Sequence, residues 1–386
     1  MTQKKQKNNK ETESAWFAHK GPDNDVILST RVRLVRNLAD FPFPSKMNEE
    51  DRYRVNSLVY DAFSSLDSFH YLDFKELSRP GKEILIDKNI LSEQKESNAE
   101  NTSKTGESPK KSYEPTAVLF NYEDESLSCL VNESDHIKLS AFVSGLDCER
   151  AMEKIFKVDE KLQEKLQFAA SIDFGYMTSH IKDCGTGMKI SIRILIPSIV
   201  LSGQLDSLIS LIQEKKLQIK PVFKPGQSDL CDFSNFIFDV SLSNSFEGSE
   251  FDQMALIQSV GKLILKTERK IRTEFADNNF TVVLNFFKQN YAKALYSLLL
   301  SYEECVSIVS AVKWGLHIGL ISGISDSELN SLYFRAKSGH LKYLCDNFNF
   351  NFEDDIKKSE NLQIKRLRTI VIQQAFEGIV NEKSVS

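Results

Sequence analysis

Residues 187–196, GMKISIRILI, alternate apolar and polar side chains with a period of two, which predicts a β-strand with one apolar face. The apolar face runs from Met188 to Ile196. The opposite face carries Lys189, Ser191 and Arg193. A solvated strand face is the ordinary explanation for these polar residues. A binding site for an anion is the alternative, because two of the three side chains are cationic.

A second predicted strand, residues 26–35, repeats this arrangement. Alternation places Thr30 and Val32 on one side and Arg31 and Arg33 on the other, with the two arginines roughly 6.5–7 Å apart along the strand. Two guanidinium groups at this spacing can each bind a different phosphate of one nucleotide. Taken alone, this strand is also compatible with a solvated face. Two such strands in one chain favour a shared anion site.

The remaining pattern mixes helices and strands up to about residue 250 and is helical from there onward. This order predicts an α+β fold, an antiparallel β-sheet flanked by helices, followed by a helical C-terminal region. Helices are predicted over 47–66 with Asn48 as N-cap, from Asp147 to Ala170, and over 203–215. Further strands are predicted over 116–122, 126–132, 217–223 and 235–242.

The predicted organisation has three parts. Residues 1–15 form a disordered tail, residues 16–250 the α+β domain, and residues 251–386 the helical region. Within the domain, residues 93–112 are low in apolar content and predict a low-complexity surface insertion.

Charge and composition exclude several classes of function. The net charge of -5 gives no general attraction to nucleic acid or to an anionic membrane, so an anion site must be local. No stretch of 18 uncharged apolar residues predicts a membrane span, and the polar N-terminus does not have the pattern of a secretory signal. The 6 cysteines are scattered without a CxxC pair, which disfavours a zinc site or a disulfide framework and favours the reducing cytoplasm.

Three ordered motifs resemble those of the ATP:guanido phosphotransferase (phosphagen kinase) family, and especially its bacterial protein arginine kinases. STRVRLVRN at 29–37 resembles the SxRxRxxRN segment, and VNESDH at 131–136 resembles the NEEDH box. GYMTSHIKDCGTGMKIS at 175–191 resembles GYLTSCPTNxGTGxRAS. The resemblance implies an antiparallel sheet on which ATP-Mg²⁺ and a guanidinium group meet, and transfer of the γ-phosphoryl group to arginine on a protein substrate.

The resemblance also implies which residues bind the nucleotide. Two of the family's five phosphate-binding arginines match Arg31 and Arg33, whereas the other three fall on Lys138, Lys189 and Lys220. Lysine keeps the positive charge but loses the planar fork of arginine. The full predicted set is Ser29, Thr30, Arg31, Val32, Arg33, Lys138, Lys189, Ser191, Arg193 and Lys220.

The catalytic positions depart from the family pattern. Ser134 occupies the place of the glutamate that serves the family as base. Glu133 and Asp135 remain as candidates, although on a strand-like segment both would point away from position 134. Both glutamates of a later loop are also missing, and Asp229 lies one position past the second. His180 replaces a reactive cysteine and is a third candidate base, the alternative being a surface or structural histidine.

Three hypotheses follow. The first is an active kinase that phosphorylates protein arginine with ATP and Mg²⁺. The second is a pseudokinase that binds nucleotide or a partner protein and acts as a regulator or scaffold. The third assigns the C-terminal helices to a homodimer or partner surface. Residues 365–370 depart from the family's RDxxRA phosphoarginine motif, so helix 361–376 is expected to pack with its basic residues facing solvent.

Overall fold

The computed structural model describes residues 15–66, 68–91, 114–223 and 232–381. The predicted insertion at 93–112, Asp229 and residues 1–14 of the predicted tail lie outside these ranges. Ala15 was also predicted to belong to the disordered tail, but it is buried, so the prediction is wrong at this residue.

The described residues form the strands β1 (Ile27–Arg36), β2 (Phe69–Asp73), β3 (Ala117–Asn121), β4 (Leu127–Val131), β5 (Ile137–Ser144), β6 (Ala170–Ser171), β7 (Gly175–Tyr176), β8 (Met188–Leu195), β9 (Leu217–Pro221), β10 (Ile237–Leu242), β11 (Ile321–Ser322) and β12 (Val380–Asn381). Eight of these strands form one antiparallel sheet in the order β2-β3-β4-β5-β1-β8-β10-β9. The pairs β6–β7 and β11–β12 form two separate small sheets. The two strands predicted to carry cations, β1 and β8, are therefore neighbours at the centre of the large sheet.

Helices flank this sheet and dominate the C-terminal region, so the predicted α+β fold is confirmed. They are α1 (Glu49–Phe63), α2 (Arg79–Asp87), α3 (Cys148–Gln163), α4 (Pro197–Leu201), α5 (Leu205–Glu214), α6 (Glu250–Asn278), α7 (Phe280–Tyr296), α8 (Tyr302–Ile318), α9 (Asp326–Arg335), α10 (Ser338–Asn347) and α11 (Glu360–Phe376). None of the helices in the described part of the chain has the length and apolar character that crossing a bilayer requires.

The register of β1 with β8 places their cations on one face of the sheet. Arg31 lies opposite Ser191, and Arg33 lies opposite Lys189. Val32 pairs with Ile190 on the other face, where both side chains are completely buried. That face is covered by α3, which packs against β1 and β5, and by α6, which packs against β8. Burial of one face thus leaves the basic residues together on the other.

Short-range signals define the helix starts more reliably than the helix ends. The Asn48 side chain accepts a hydrogen bond from the backbone N–H of Asp51, so the predicted N-cap is confirmed. Asp147, predicted to open the next helix, is its N-cap and accepts a hydrogen bond from the Arg150 N–H. The helix predicted to reach Ala170 instead ends at Gln163. The following segment forms backbone hydrogen bonds with the chain beyond β1, including one from the Ala169 N–H to the Asn37 carbonyl. These long-range bonds override a helical pattern that continues through Leu166.

The C-terminal helices fold back over the sheet domain. Helix α9 packs against the short 3₁₀ helix Trp16–Ala18, and α8 packs against the 3₁₀ helix Phe233–Phe236. Helix α10 packs on α2, where an Asp87 carboxylate oxygen accepts the Gly339 N–H at 2.7 Å. The helical region therefore forms a wall above the basic face.

Helix α11 differs from its prediction in one respect. Arg368 does not face solvent but is only 2% exposed. Its guanidinium donates hydrogen bonds to the carbonyls of Ala336 and Leu300, at 2.7 and 2.8 Å, and to the Ser338 hydroxyl. These buried acceptors belong to other segments of the helical region, and a helical pattern in one segment carries no signal of them.

Gly145 allows the end of β5 to pass close to the start of the domain. Its φ is +76°, and a Cβ atom there would lie 2.0 Å from the Pro22 carbonyl oxygen. We expect Gly145→Ala to lower the free energy of unfolding by at least about 2 kcal/mol, from left-handed strain and steric overlap combined. Gly203→Ala is the matched control, since φ is +73° there but nothing lies within 4 Å. Urea unfolding of both variants measures the difference, and equal losses would contradict the steric argument.

Candidate functional site

A cavity of about 840 Å³ lies over the polar face of β1 and β8. Its volume is in the range of about 300–1,000 Å³ typical of sites for small molecules and cofactors. Among the described residues, its basic side chains are Arg31, Arg33, Lys138, Lys189, Arg193, Lys220 and Lys337, and its acidic ones are Asp87 and Asp239. The excess of basic over acidic groups makes the cavity suited to an anionic ligand.

Arg31 and Arg33 lie at the centre of this basic face. Arg31 donates a hydrogen bond to the Ser140 hydroxyl at 3.2 Å and packs over the Phe142 ring, 4.9 Å from its centroid. The Nε atoms of both arginines are buried and have no hydrogen-bond partner within the described chain. Burial and the nearby Arg33 lower the pKa of Arg31 to about 9, so its guanidinium remains charged at neutral pH. Both arginines therefore keep hydrogen-bonding capacity for a ligand.

Lys138, Lys189 and Lys220, the three lysines at arginine positions of the family pattern, differ in their surroundings. Lys138 forms an ion pair with Glu133 at 2.7 Å, and burial lowers the pKa of Lys138 although Glu133 opposes that shift. Burial, followed by the charge of Arg33, also lowers the pKa of Lys189. Lys220 is exposed at the cavity edge. An anion bound in this cluster would offset the like-charge repulsion and favour the charged form of the lysines.

Arg193 is already paired within the sheet. Its Nε and Nη2 atoms donate to the two carboxylate oxygens of Asp239, at 2.8 and 2.9 Å. Asp239 lies on β10 directly opposite Arg193 in the strand register. This neutralised pair contributes shape and hydrogen-bonding groups to the cavity but little net charge.

The remaining predicted nucleotide-binding residues divide between the two faces. Ser29 and Ser191 line the cavity. Thr30 and Val32 do not line it, because their side chains are buried on the opposite face. The Thr30 hydroxyl donates to the Gly145 carbonyl at 2.6 Å. These two residues belong to the core that supports the basic strand.

Residues 132–136 form a turn, which changes the expected arrangement of the acidic candidates. Asn132 has a φ of +57° and ends the strand before Glu133. The Ser134 hydroxyl then lies 3.1 Å from an Asp135 carboxylate oxygen and 3.4 Å from one of Glu133. The prediction that both carboxylates point away from position 134 is therefore wrong. The strand alternation on which it rested does not extend through the turn.

Asp135 is engaged in holding other segments. It is 2% exposed, and one carboxylate oxygen accepts hydrogen bonds from the Asn37 amide and the Ser179 N–H, both at 2.7 Å. The adjacent His136 accepts the Leu38 N–H at 2.9 Å. These contacts tie the end of β1 to the segment around residue 180, so Asp135 acts as a positioning residue.

His180 is exposed and does not line the cavity. Its carbonyl accepts a hydrogen bond from the Thr178 hydroxyl at 2.8 Å. The 3₁₀ helix that follows it, Ile181–Asp183, approaches the basic face, where Asp183 lies 3.9 Å from Arg33. His180 therefore lies beside the site and not within it.

The helical wall of the cavity was not predicted from the sequence. Tyr302 from α8 and Asn330 from α9 line the cavity on this side. Asp239, on strand β10 of the sheet, also lines the cavity and was not predicted. The alternation of residues 235–242 separates Asp239 from its apolar neighbours, so the sequence could have predicted that its side chain lies on the polar face of the strand. Nothing in one strand's pattern shows that β10 pairs with β8, and no motif marked the residues of the helical wall.

Comparison with known proteins identifies the family of the chain. The family model for the C-terminal catalytic domain of ATP:guanido phosphotransferases matches residues 52–271, more than half of the chain. A protein-arginine kinase from Halothermothrix orenii is 27% identical over 354 residues, covering 91% of this chain and 96% of that protein. One from Syntrophomonas wolfei is 27% identical over 361 residues, covering 92% of this chain and 96% of that protein.

Two solved structures share the fold at lower sequence identity. Lombricine kinase superimposes with a TM-score of 0.54 at 15% identity, covering 68% of this chain and 71% of that structure. The duplicated taurocyamine kinase from Schistosoma mansoni, with bound transition-state analogue components, has a TM-score of 0.53 at 18% identity and covers 67% of this chain and 35% of its own. Because the family model matches more than half of this chain, the chain belongs to the ATP:guanido phosphotransferase family.

Proposed function

We propose that the cavity binds the phosphates of ATP and that transfer of the γ-phosphoryl group to arginine is slow or absent. The observation that carries the binding proposal is the basic face itself. Arg31, Arg33 and Lys189 meet there, and the two arginines have Nε atoms without a partner in the described chain. Charge-assisted hydrogen bonds to phosphate are among the strongest polar contacts in proteins.

The same cavity is suited to nucleotide-bound Mg²⁺. Among the described residues, no group of three or more His, Cys, Asp or Glu side chains is arranged to hold a metal ion. Mg²⁺ commonly binds phosphate oxygens and keeps several water ligands, so it would be held chiefly by the nucleotide. Bound in this way, it would neutralise charge on the phosphates, while the arginines and lysines would orient them.

The expectation of slow transfer rests on the acidic groups near the site. A guanidinium group has a pKa above about 12, so its phosphorylation needs a group that orients it and accepts a proton, and a carboxylate suits both tasks. Glu133 is paired with Lys138. Asp135 is buried and accepts hydrogen bonds from Asn37 and Ser179. Asp239, which lines the cavity, is paired with Arg193. Ser134 cannot supply the negative charge that the family's glutamate provides.

Phosphorylation of protein arginine is the second candidate function. Two observations favour it: the homology to proteins named protein-arginine kinase, and the position of Glu133 beside a cavity lysine. A rearrangement that frees Glu133 from Lys138 would place a carboxylate at the basic face.

The experiment combines binding with product detection. The purified chain is titrated with ATP-Mg²⁺ in a calorimeter and then incubated with ATP-Mg²⁺ and an arginine-rich protein. Phosphoarginine is measured by mass spectrometry under conditions that preserve this acid-labile product. We expect saturable binding with little or no phosphoarginine. Absence of binding would overturn the nucleotide proposal, whereas rapid phosphoarginine formation that requires Arg31 would establish the second candidate.

Ser134→Glu tests the mapping of the catalytic position. We expect it to raise phosphoarginine formation by about tenfold, a part of the roughly 10²–10⁴-fold that acid–base catalysis supplies, because other acids of the family pattern are still missing. Ser134→Gln is the matched control, with a similar volume and no charge. Equal rates for the two variants would show that a carboxylate at position 134 has no catalytic effect.

A further inference from the structure

The helical wall of the cavity contains an amide group without a partner. Asn330 lies on α9, lines the cavity and is only 4% exposed. Both its Oδ1 and its Nδ2 are buried and have no hydrogen-bond partner in the described chain. Nearby polar groups satisfy each other instead. The Tyr333 hydroxyl lies 2.9 Å from that of Ser310, and the Tyr302 hydroxyl donates to the Tyr333 carbonyl at 2.9 Å.

Such an amide is unusual, because the great majority of buried side-chain polar atoms have a hydrogen-bond partner. Leaving both a donor and an acceptor unsatisfied destabilises the folded chain. Asn330 lines the cavity, and although both amide atoms are shielded from water in this conformation, turning the side chain toward the cavity would let a ligand pressed against this wall supply both partners. The unpaired amide therefore points to a ligand group that offers one acceptor and one donor side by side.

The rest of this wall suits a planar, partly apolar ligand group. Tyr302, Tyr333 and Phe334 line it together with the apolar Val306. Flat aromatic rings bind nucleobases by stacking, whichever base is present. The wall thus differs in chemistry from the basic face of the same cavity, and the two together match a base and its phosphates.

We propose that Asn330 selects adenine as the base of the bound nucleotide. An asparagine amide forms two hydrogen bonds with adenine, accepting from the N6 amino group and donating to N7. Guanine presents two acceptors, O6 and N7, at the corresponding edge, so the same amide pairs with it poorly. This inference rests on the proposed nucleotide binding and assigns base specificity to the helical C-terminal region.

The test separates base recognition from phosphate binding. Calorimetry compares Mg²⁺ complexes of ATP, GTP and inorganic tripolyphosphate on the full chain and on Asn330→Leu. We expect the unaltered chain to prefer ATP over GTP by about 5- to 150-fold, the range for one good bidentate contact. Asn330→Leu should lose this preference and keep its affinity for tripolyphosphate, which also shows that the variant is folded. Ser331→Ala, one residue along the helix, is the matched control and should keep the preference.

The outcomes are distinguishable. Equal affinity of the unaltered chain for ATP and GTP, or a preserved preference in Asn330→Leu, would overturn the role of Asn330 while phosphate binding stands. Asn330→Asp provides a second variant of similar size, which keeps the acceptor and removes the donor to N7, and its preference for ATP should also fall. If neither ATP nor tripolyphosphate binds the unaltered chain, the nucleotide proposal itself fails, and this inference fails with it.

Discussion

Arg36→Met is expected to lower the free energy of unfolding by about 3–5 kcal/mol, the usual effect of removing one partner from a buried ion pair. Arg36 and Asp159 form two hydrogen bonds, at 3.1 and 2.9 Å, and their side chains are each only 1% exposed. The guanidinium also lies 3.6 Å from the centroid of the Tyr176 ring and donates to the Val35 and Thr186 carbonyls. Methionine fills part of this volume but leaves a buried carboxylate without its cation.

Urea unfolding measures this loss, and a second variant identifies its origin. Replacing both partners, Arg36→Met with Asp159→Leu, removes the uncompensated charge and should recover much of the lost stability. A loss in the single variant below about 1 kcal/mol would contradict the structural role, since it would resemble an exposed ion pair. If the double variant loses as much stability as Arg36→Met alone, the loss comes instead from the packing of Arg36 against Tyr176.

Arg31→Met, five positions earlier on the same strand, should weaken ligand binding without lowering stability, in contrast to Arg36→Met. We expect the free energy of unfolding to stay unchanged or to rise, because the substitution removes a partly buried cation that lies next to Arg33. Binding of ATP-Mg²⁺ should weaken by about 10- to 150-fold, or roughly 1.5–3 kcal/mol, the contribution of hydrogen bonds to a charged group. Thermal unfolding and calorimetric titration of one preparation measure both quantities.

Arg31→Lys is the matched control because it keeps the charge and loses the fork. Its affinity for ATP-Mg²⁺ should lie between those of Arg31→Met and the unaltered chain. Two results would contradict a ligand-binding role for Arg31: an Arg31→Met variant that binds ATP-Mg²⁺ normally, or one that unfolds as readily as Arg36→Met.

The sequence identified much of the basic face of the site. The alternation in residues 26–35 and 187–196 placed Arg31 with Arg33, and Lys189 with Arg193, and the structure confirms both pairs on the cavity face. Three motifs of limited length were sufficient to indicate the family. Where alternation ended, at the turn around Ser134, prediction from it failed.

The helical wall could not be predicted from local sequence patterns. Asn330 is an ordinary helical residue in the sequence, and Arg368 has the spacing of a solvent-facing one. Their environments depend on α9 folding back over the sheet and on the carbonyls of Leu300 and Ala336. A local pattern contains no information about groups that approach from other elements.

By itself, the sequence determined strand faces, N-caps and the α+β order, because these depend on interactions among residues close together along the chain. Only the tertiary structure decided that β1 and β8 are neighbours, that Arg36 is paired and Arg31 largely is not, and that Asn330 faces the same cavity. The Arg36–Asp159 pair joins residues 123 positions apart. Whether a charged side chain meets a buried partner or an open cavity is decided by such long-range contacts, and here they separate an arginine of the core from one of the site.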